Sequence, residues 1–170
     1  MARKFNLRQF QTELSKRMQV AAETPALASR LGFQAAGMNW LLALDDIDEV
    51  LSIPPIEAIP GTVRWFGGIT NIRGNLYAVT DLTDFLTGSP TQINHEARLL
   101  LVHRKHGINA AFIVQRSLGL RQPGQLTQQA LENKPTYALT SYSEPDNTLW
   151  HELNLASLLT NPAFLSVETQ

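Results

Sequence analysis

Two histidines, His103 and His106, stand three positions apart and are the first residues in the sequence that suggest chemistry. An H-x-x-H pair can chelate a metal ion. However, Arg104 and Lys105 lie between the two rings, and their positive charge opposes the binding of a divalent cation. No third ligand is evident, so we interpret this segment as an exposed hairpin tip and expect neither a metal nor a cofactor.

A group of acidic residues is the second candidate for ion binding. It comprises Asp45, Asp46, Asp48 and Glu49, and it lacks the D-x-D-x-D-G spacing with the central glycine of a calcium loop. A solvated face is the favoured interpretation, and an acidic patch that binds a protein is the alternative.

Sequence signatures of catalysis are missing from the chain. It has no G-x-x-x-x-G-K-[ST], G-x-G-x-x-G, H-E-x-x-H or G-x-S-x-G motif. The absence of cysteine excludes disulfides, thiolate chemistry and Cys-based zinc sites. No serine or threonine has a base close by in the sequence. We therefore expect a protein that is not an enzyme, with a site assembled from distant residues as the remaining alternative.

Composition and charge limit the partners. The 170 residues are 44% hydrophobic and 17% charged, which is typical of one globular domain or of two small barrels that share a core. A formal net charge of −1 does not attract nucleic acid or anionic lipid. The chain has no secretory signal and no apolar run of about 18 residues. We expect a cytoplasmic protein that binds no nucleic acid and does not insert into a membrane.

The elements that must position any site fall into two regions. Leu7, Phe10, Leu14 and Met18 predict an amphipathic helix over residues 6–20, so we assign residues 1–30 to a helical extension with a linker. This helix either covers the main domain or docks a partner. From Gly32 onward, short apolar runs alternate with turn signals and no long helical crossover occurs, which favours small β-barrels within one domain over residues 31–170.

Two pairs of segments in this domain resemble each other in the same order. The segment 47–55 is similar to 114–122, and 79–86 is similar to 152–159, where Asp81 aligns with Asn154. A repeated order of similar segments indicates a duplicated supersecondary unit, and chance similarity between such short segments is the alternative. The sequence therefore predicts two related barrels packed together. Gly67 and Gly68 are expected to permit a bulge or a close backbone approach within a strand.

A longer pattern carries a family resemblance. The segment 48–86 resembles the CheW-like chemotaxis adaptors through an "EVL" segment, a proline-containing segment, a "G-V-x-N-x-R-G" strand and turn, and a "P-V-x-D-L" strand end. These motifs appear here as Glu49–Leu51, Pro54–Pro55, Gly68–Gly74 and Ala78–Leu82. The helical leader and the ending over residues 158–167 are similar to the branch of the family that serves type IV pili and twitching motility, the PilI-type adaptors.

The resemblance implies a fold and a role. The fold is mainly β, with two intertwined SH3-like five-stranded β-barrels, an N-terminal amphipathic helix and a short C-terminal helix. The role is that of a non-catalytic adaptor, which couples the cytoplasmic tip of a chemoreceptor to the regulatory domain of a CheA-like histidine kinase. Such an adaptor is recruited from the cytoplasm to membrane-associated receptor arrays. The alternative is a regulatory or peptide-binding β-barrel module of another two-component pathway, without a receptor partner.

The resemblance also assigns receptor-binding residues. Arg73 matches the arginine that contributes to receptor binding in the family, and Asn71 and Gly74 belong to the same motif. Gly74 tolerates the positive φ of a tight turn and is expected to fix Arg73 at the strand end. Asn71 lies two residues earlier, so strand alternation predicts that it shares a face with Arg73.

Kinase contacts are assigned to the neighbourhood of the "EVL" segment. Glu49 either orients Arg73 or contacts the kinase, and Ile47 and Gly68 occupy positions that contact or support it.

The second half departs from the family pattern. Gln115 and Arg116 replace an acidic "V-D-x-V" segment, and Asn154 replaces the late aspartate. Whether partner contacts that depend on acids in the second barrel carry over is therefore left open by the sequence.

Overall fold

The computed structural model describes residues 29–169, and the predicted helix over residues 6–20 lies outside this range. Within it the chain forms eleven β-strands and three short α-helices. The strands are β1 (Arg30–Ala35), β2 (Met38–Ala43), β3 (Ile47–Ser52), β4 (Phe66–Ile72), β5 (Asn75–Asp81), β6 (Arg98–Val102), β7 (Ala110–Val114), β8 (Arg116–Arg121), β9 (Thr127–Gln129), β10 (Ala138–Ser143) and β11 (Leu149–Leu153). The helices are α1 (Leu82–Thr87), α2 (Leu155–Leu159) and α3 (Pro162–Leu165). None of these helices is long and apolar enough to cross a membrane.

The strands form two sheets, and the chain leaves the first sheet after β2, forms the whole second sheet from β3 to β7 and returns to the first at β8. One sheet has the order β8-β1-β2-β11-β10-β9 and the other has the order β3-β6-β7-β5-β4. The predicted mainly β fold with a short C-terminal helix is confirmed. One sheet has five strands as expected, whereas the other has a sixth, because the three-residue strand β9 adds to the outer edge of β10.

The two sheets repeat one arrangement, as the similar segments predicted. In each sheet one neighbouring pair is parallel, β5 with β7 in one and β11 with β2 in the other. A short helix follows both β5 and β11, and its first turn is capped in the same way. The side chain of Asp81 accepts a hydrogen bond from Asp84 N at 3.1 Å, and that of Asn154 accepts one from Ser157 N at 3.0 Å. Asn154 therefore performs the capping role of the aspartate that it replaces.

The central strands β6 and β7 are buried on both faces. Alternate residues, among them Leu100 and Phe112, enter a core that contains residues of both sheets. Their neighbours, among them Leu99 and Ala111, enter a smaller core on the other side. Period-two alternation thus requires apolar residues at successive positions, which explains the continuous runs "LLLV" and "AAFIV".

Aromatic rings attach the C-terminal segment to the five-stranded sheet. Phe164 of α3 lies 5.9 Å from Trp65 and 5.3 Å from Phe85, measured between ring centroids. Beyond α3, Val167 O accepts a hydrogen bond from Val63 N at 2.8 Å. Such ring pairs contribute about 0.5–1.5 kcal/mol each beyond their burial, so this contact fastens the end of the chain to the other half.

The face of the six-stranded sheet that points away from the shared core carries ion pairs and the buried indole ring of Trp150. Trp150 packs against Gly32, where a Cβ atom would lie 2.9 Å from its ring, and the guanidinium of Arg121 lies 4.6 Å from the ring centroid. Arg30 Nε lies 3.0 Å from Glu152 Oε1. Burial and a hydrogen bond to Glu152 raise the pKa of the Tyr142 hydroxyl. This face of the six-stranded sheet is more polar than the smaller core of the five-stranded sheet, which consists of apolar residues.

His151 is a buried titratable group in β11. Its Nδ1 lies 2.8 Å from Ser141 Oγ, and its ring centroid lies 5.7 Å from that of Trp40. Burial lowers the pKa of His151 from its ordinary value of 6.5. The folded protein therefore favours the neutral ring.

We expect His151 to make the fold less stable in mild acid. Below about pH 6.5 the unfolded chain takes up the proton before the folded one, so the free energy of unfolding decreases as pH falls toward the lowered pKa, by up to about 1.4 kcal/mol per pH unit. The double variant Ser141→Ala/His151→Phe removes this group without leaving the hydroxyl unpaired. Urea unfolding at several pH values should give a flatter pH dependence for this variant, and equal slopes would contradict the assignment.

Candidate partner-binding site

The β4–β5 hairpin presents Arg73 in an unusual backbone conformation. β4 ends at Ile72 and β5 begins at Asn75, so Arg73 and Gly74 alone form the turn. Both have positive φ, 52° for Arg73 and 86° for Gly74, as in a type I′ hairpin turn. Arg73 therefore lies within the turn, and its predicted position at the strand end is wrong by one residue. A left-handed conformation at a residue with a Cβ costs about 1–2 kcal/mol.

The guanidinium of Arg73 forms a two-pronged pair with Glu49. Arg73 Nη1 lies 2.8 Å from Glu49 Oε2, and Arg73 Nη2 lies 2.8 Å from Glu49 Oε1. Glu49 is in β3, and β3 and β4 are the two edge strands of the five-stranded sheet. The pair therefore joins opposite edges and shows that the sheet curls on itself. The Arg73 side chain remains 75% exposed, so the pair itself adds at most about 1 kcal/mol of stability.

Asn71 supports the turn from within. Its Oδ1 accepts a hydrogen bond from Gly74 N at 2.9 Å. The side chain thus binds the backbone of its own hairpin, which fixes the path of the chain on either side of Arg73. Through this bond Asn71, Arg73 and Gly74, the three predicted receptor-binding residues, are held together in one hairpin turn.

A cleft of about 320 Å³ opens beside the pair, at the end of the five-stranded sheet. Ile72, Tyr77 and Leu101 provide its apolar lining. Charged and amide groups complete it, namely Asp48, Glu49, Arg73, Asn75, Arg104 and Asn109. Sequence reasoning missed Arg104 and Asn109 as members of this site, because only the sheet register brings the β6–β7 hairpin beside the Arg73 turn. It also missed Asn75, although this residue directly follows Gly74.

Acidic residues at the start of β3, Asp46 just before it and Asp48 within it, pair with the basic tip of the β6–β7 hairpin. Asp46 Oδ1 lies 2.8 Å from Lys105 Nζ and 2.9 Å from His106 Nε2. Asp48 Oδ1 lies 3.4 Å from His103 Nε2. Burial raises the pKa of the Asp46 carboxyl, but the hydrogen bonds from Lys105 and His106 outweigh burial and hold this pKa below its usual value. Asp46 and Asp48 are thus paired with this tip instead of fully solvated.

The two histidines lie at the hairpin tip, where the sequence placed them. His103 Nδ1 accepts a hydrogen bond from Lys105 N at 3.0 Å, which leaves the proton on Nε2, toward Asp48. Among residues 29–169, no cluster of three or more histidine, aspartate or glutamate side chains could hold a metal ion.

Ile47 and Gly68 lie beneath the surface. Ile47 is only 8% exposed and packs in the core that contains residues of both sheets. Gly68 is buried with φ +120°, and a Cβ atom there would overlap the carbonyl group of Glu57. Glu57 and Ile69 exchange backbone hydrogen bonds of 2.8 and 2.9 Å at this point. A direct contact of either residue with a partner does not fit this placement, whereas a supporting role does.

Comparison with known proteins identifies the family. A model of the CheW-like domain matches residues 30–163. The chain belongs to the CheW-like family. Within this family it is similar to Protein PilI of Pseudomonas aeruginosa, with 29% identity over 93 residues, which is 55% of this chain and 52% of PilI. The match thus spans about half the length of PilI.

A solved CheW-like structure shares the fold. It is the crystal structure of the scaffolding protein TtCheW from Thermoanaerobacter tengcongensis, with a TM-score of 0.67 and 19% identity. The match covers 82% of this chain and 92% of TtCheW, and so includes most of both proteins.

Replacement of the two neighbouring glycines should have unequal effects. Gly68→Ala must move the backbone of Glu57 and relax a positive φ, so we expect a loss of roughly 2–4 kcal/mol in the free energy of unfolding. Gly67→Ala is the matched control, because its Cβ would lie 3.5 Å from the nearest atom, an ordinary contact. Its effect should stay within about 1 kcal/mol. Equal losses in chemical denaturation would contradict the close approach.

Substitution in the turn tests whether the positive φ of Arg73 lowers the free energy of unfolding. Arg73→Asn places a residue that tolerates positive φ at this position, and we expect the free energy of unfolding to stay equal or to rise by up to about 1 kcal/mol. Gly74→Ala adds a Cβ with no atom within 4 Å and should lose about 1–2 kcal/mol from backbone strain alone. A clear loss of stability in Arg73→Asn would make the ion pair structural.

Proposed function

We propose that this CheW-like protein is a non-catalytic adaptor that couples the cytoplasmic tip of a chemoreceptor to the regulatory domain of a CheA-like histidine kinase. The family membership supports the adaptor role, and the likeness to PilI supports a place in the control of type IV pili and twitching motility. The observation that carries the proposal is Arg73, an exposed cation held in a strained turn where glycine or asparagine would fit with less strain.

Arg73 is positioned to bind a receptor. Backbone strain tends to persist where function needs a particular side chain. Glu49 holds the guanidinium plane in one orientation, and Asn71 holds the turn, so little freedom remains to be lost on binding. A planar guanidinium recognises carboxylates and carbonyl oxygens through several directed hydrogen bonds. Carboxylate or carbonyl oxygens on a receptor tip can accept hydrogen bonds from the guanidinium N–H groups of Arg73 that do not bind Glu49.

The kinase contact is assigned to the neighbouring edge strand. β3 has a strand neighbour on one side only within the described part of the chain, and it exposes 36% of Val50 beside Glu49. Ile47 and Gly68 hold this region from beneath, which is the supporting role proposed for them. In this arrangement receptor and kinase bind adjacent faces of one barrel, and the adaptor acts by holding both at once.

A pull-down from lysate of the source cells tests the proposal. We expect the wild-type bait to retain a chemoreceptor and a histidine kinase, identified by mass spectrometry. Arg73→Glu should retain the kinase and lose the receptor by about tenfold or more, because the charge reversal repels acidic partners. Lys134→Glu is the control, an exposed charge reversal away from the cleft.

The free energy of unfolding of Arg73→Glu should fall by about 1 kcal/mol at most, because the exposed pair with Glu49 contributes no more than that. Recovery of a kinase without a receptor by every folded bait would instead favour the regulatory-module alternative. A double-mutant cycle on Glu49 and Arg73, measured as receptor binding, should show coupling, and its absence would remove the orienting role of Glu49.

A further inference from the structure

Two arginines away from the Arg73 cleft are held in place without being neutralised. Arg116 Nε donates to Gln34 Oε1 at 3.0 Å, and Arg98 Nη1 donates to the carbonyl oxygens of His95 and Ala97 at 2.7 and 2.8 Å. All of these acceptors are uncharged. Among residues 29–169 neither guanidinium has a carboxylate partner, in contrast to Arg30, Arg64, Arg73 and Arg121. A guanidinium fixed by neutral acceptors keeps its full charge for a ligand.

Both arginines line one groove. The groove has a volume of about 410 Å³, and its lining consists of His95, Glu96, Arg98, Arg116, Ser117 and Leu118. Glu96 and Arg116 also line an adjoining polar groove of about 560 Å³, which reaches the turn between β1 and β2 and the side of α1. Among residues 29–169, Glu96 is the only carboxylate that lines either groove, so cationic groups are in excess there. We call this continuous surface the Arg98–Arg116 groove.

An edge strand runs along the groove. β8 pairs only with β1 in the described part of the chain, so its other side offers main-chain groups to an added strand. From Leu118 to the end of β8 this side is partly covered, because Arg121 Nη1 donates to the carbonyl oxygens of Leu118 and Leu120 at 2.8 and 3.2 Å. The end near Arg116 and Ser117 carries no such cover among the described residues. An extended chain therefore fits where the two guanidinium groups lie.

We propose that the Arg98–Arg116 groove binds an extended acidic segment of a partner protein. Its carboxylates pair with Arg98 and Arg116, and its backbone adds to the open end of β8. Strand alternation makes the fit specific, because acidic side chains at every second position face the same side. The site is distinct from the Arg73 cleft and does not depend on the receptor and kinase contacts proposed above.

Selection from a peptide library tests the proposal on the full-length protein. The library contains peptides of about ten residues with glutamate at alternate positions and random residues between them. Wild-type protein should enrich acidic peptides, and the best of these should lose about tenfold or more in affinity for Arg98→Gln/Arg116→Gln. Arg104→Gln is the matched control, since Arg104 is an exposed arginine that lines the other cleft. It should bind these peptides like the wild type.

Three further measurements test whether the carboxylates of the peptide and the main chain of β8 form the contact. Peptides with glutamine in place of glutamate should bind about tenfold more weakly, and added salt should weaken the acidic peptides. Backbone amide signals of β8 should shift on titration in NMR spectra. The proposal is overturned if no acidic peptide is enriched, if Arg104→Gln reduces binding as much as the double variant, or if glutamine peptides bind equally. It is also overturned if anionic vesicles or a single-stranded oligonucleotide bind the groove more tightly than every peptide.

Discussion

The double burial of β6 and β7 is the constraint on which the rest of the structure depends. Leu100 and Phe112 enter one core while Leu99 and Ala111 enter the other, so both sheets pack around the same two strands. Strands with two buried faces offer little surface to a partner, and β6 contributes only through Arg98 at its first position and Leu101 at the base of the Arg73 cleft. Recognition therefore falls to the edge strands and the hairpin turns, where the Arg73 cleft and the Arg98–Arg116 groove are found.

The Arg73 turn and the Arg98–Arg116 groove use the same side chain in different ways. Arg73 is neutralised by Glu49, and its pair with that residue orients it more than it stabilises the fold. Arg98 and Arg116 are oriented by carbonyl and amide oxygens and keep their charge. The first arrangement favours a partner that adds to an existing ion pair, and the second favours one that supplies the missing anion.

Local signals in the sequence predicted much of this architecture. Gly74 marked the turn, and the likeness of Asp81 to Asn154 marked a repeat that the capped helices reproduce. Contacts that depend on strand register could not be read locally, such as the pairing of Asp46 with Lys105. Ile47 shows a second limit. A register shift between Ile47 and Glu49 interrupts the alternation, so Ile47 enters the core that contains residues of both sheets instead of facing the cleft with Glu49.

The interleaved order of the strands has a consequence for biosynthesis. β1 and β2 leave the ribosome before the other strands, but β8 and β11, which flank them in the six-stranded sheet, follow only after the whole five-stranded sheet has been made. Until then Phe33 and Trp40, which are fully buried in the finished protein, have no complete core to enter. Pairing between distant segments is slow, and exposed apolar surface favours aggregation. Until β11 emerges the six-stranded sheet is incomplete, so the nascent chain exposes apolar side chains that the consecutive strands β3 to β7 cannot bury alone, and a chain truncated before β11 should be prone to aggregation.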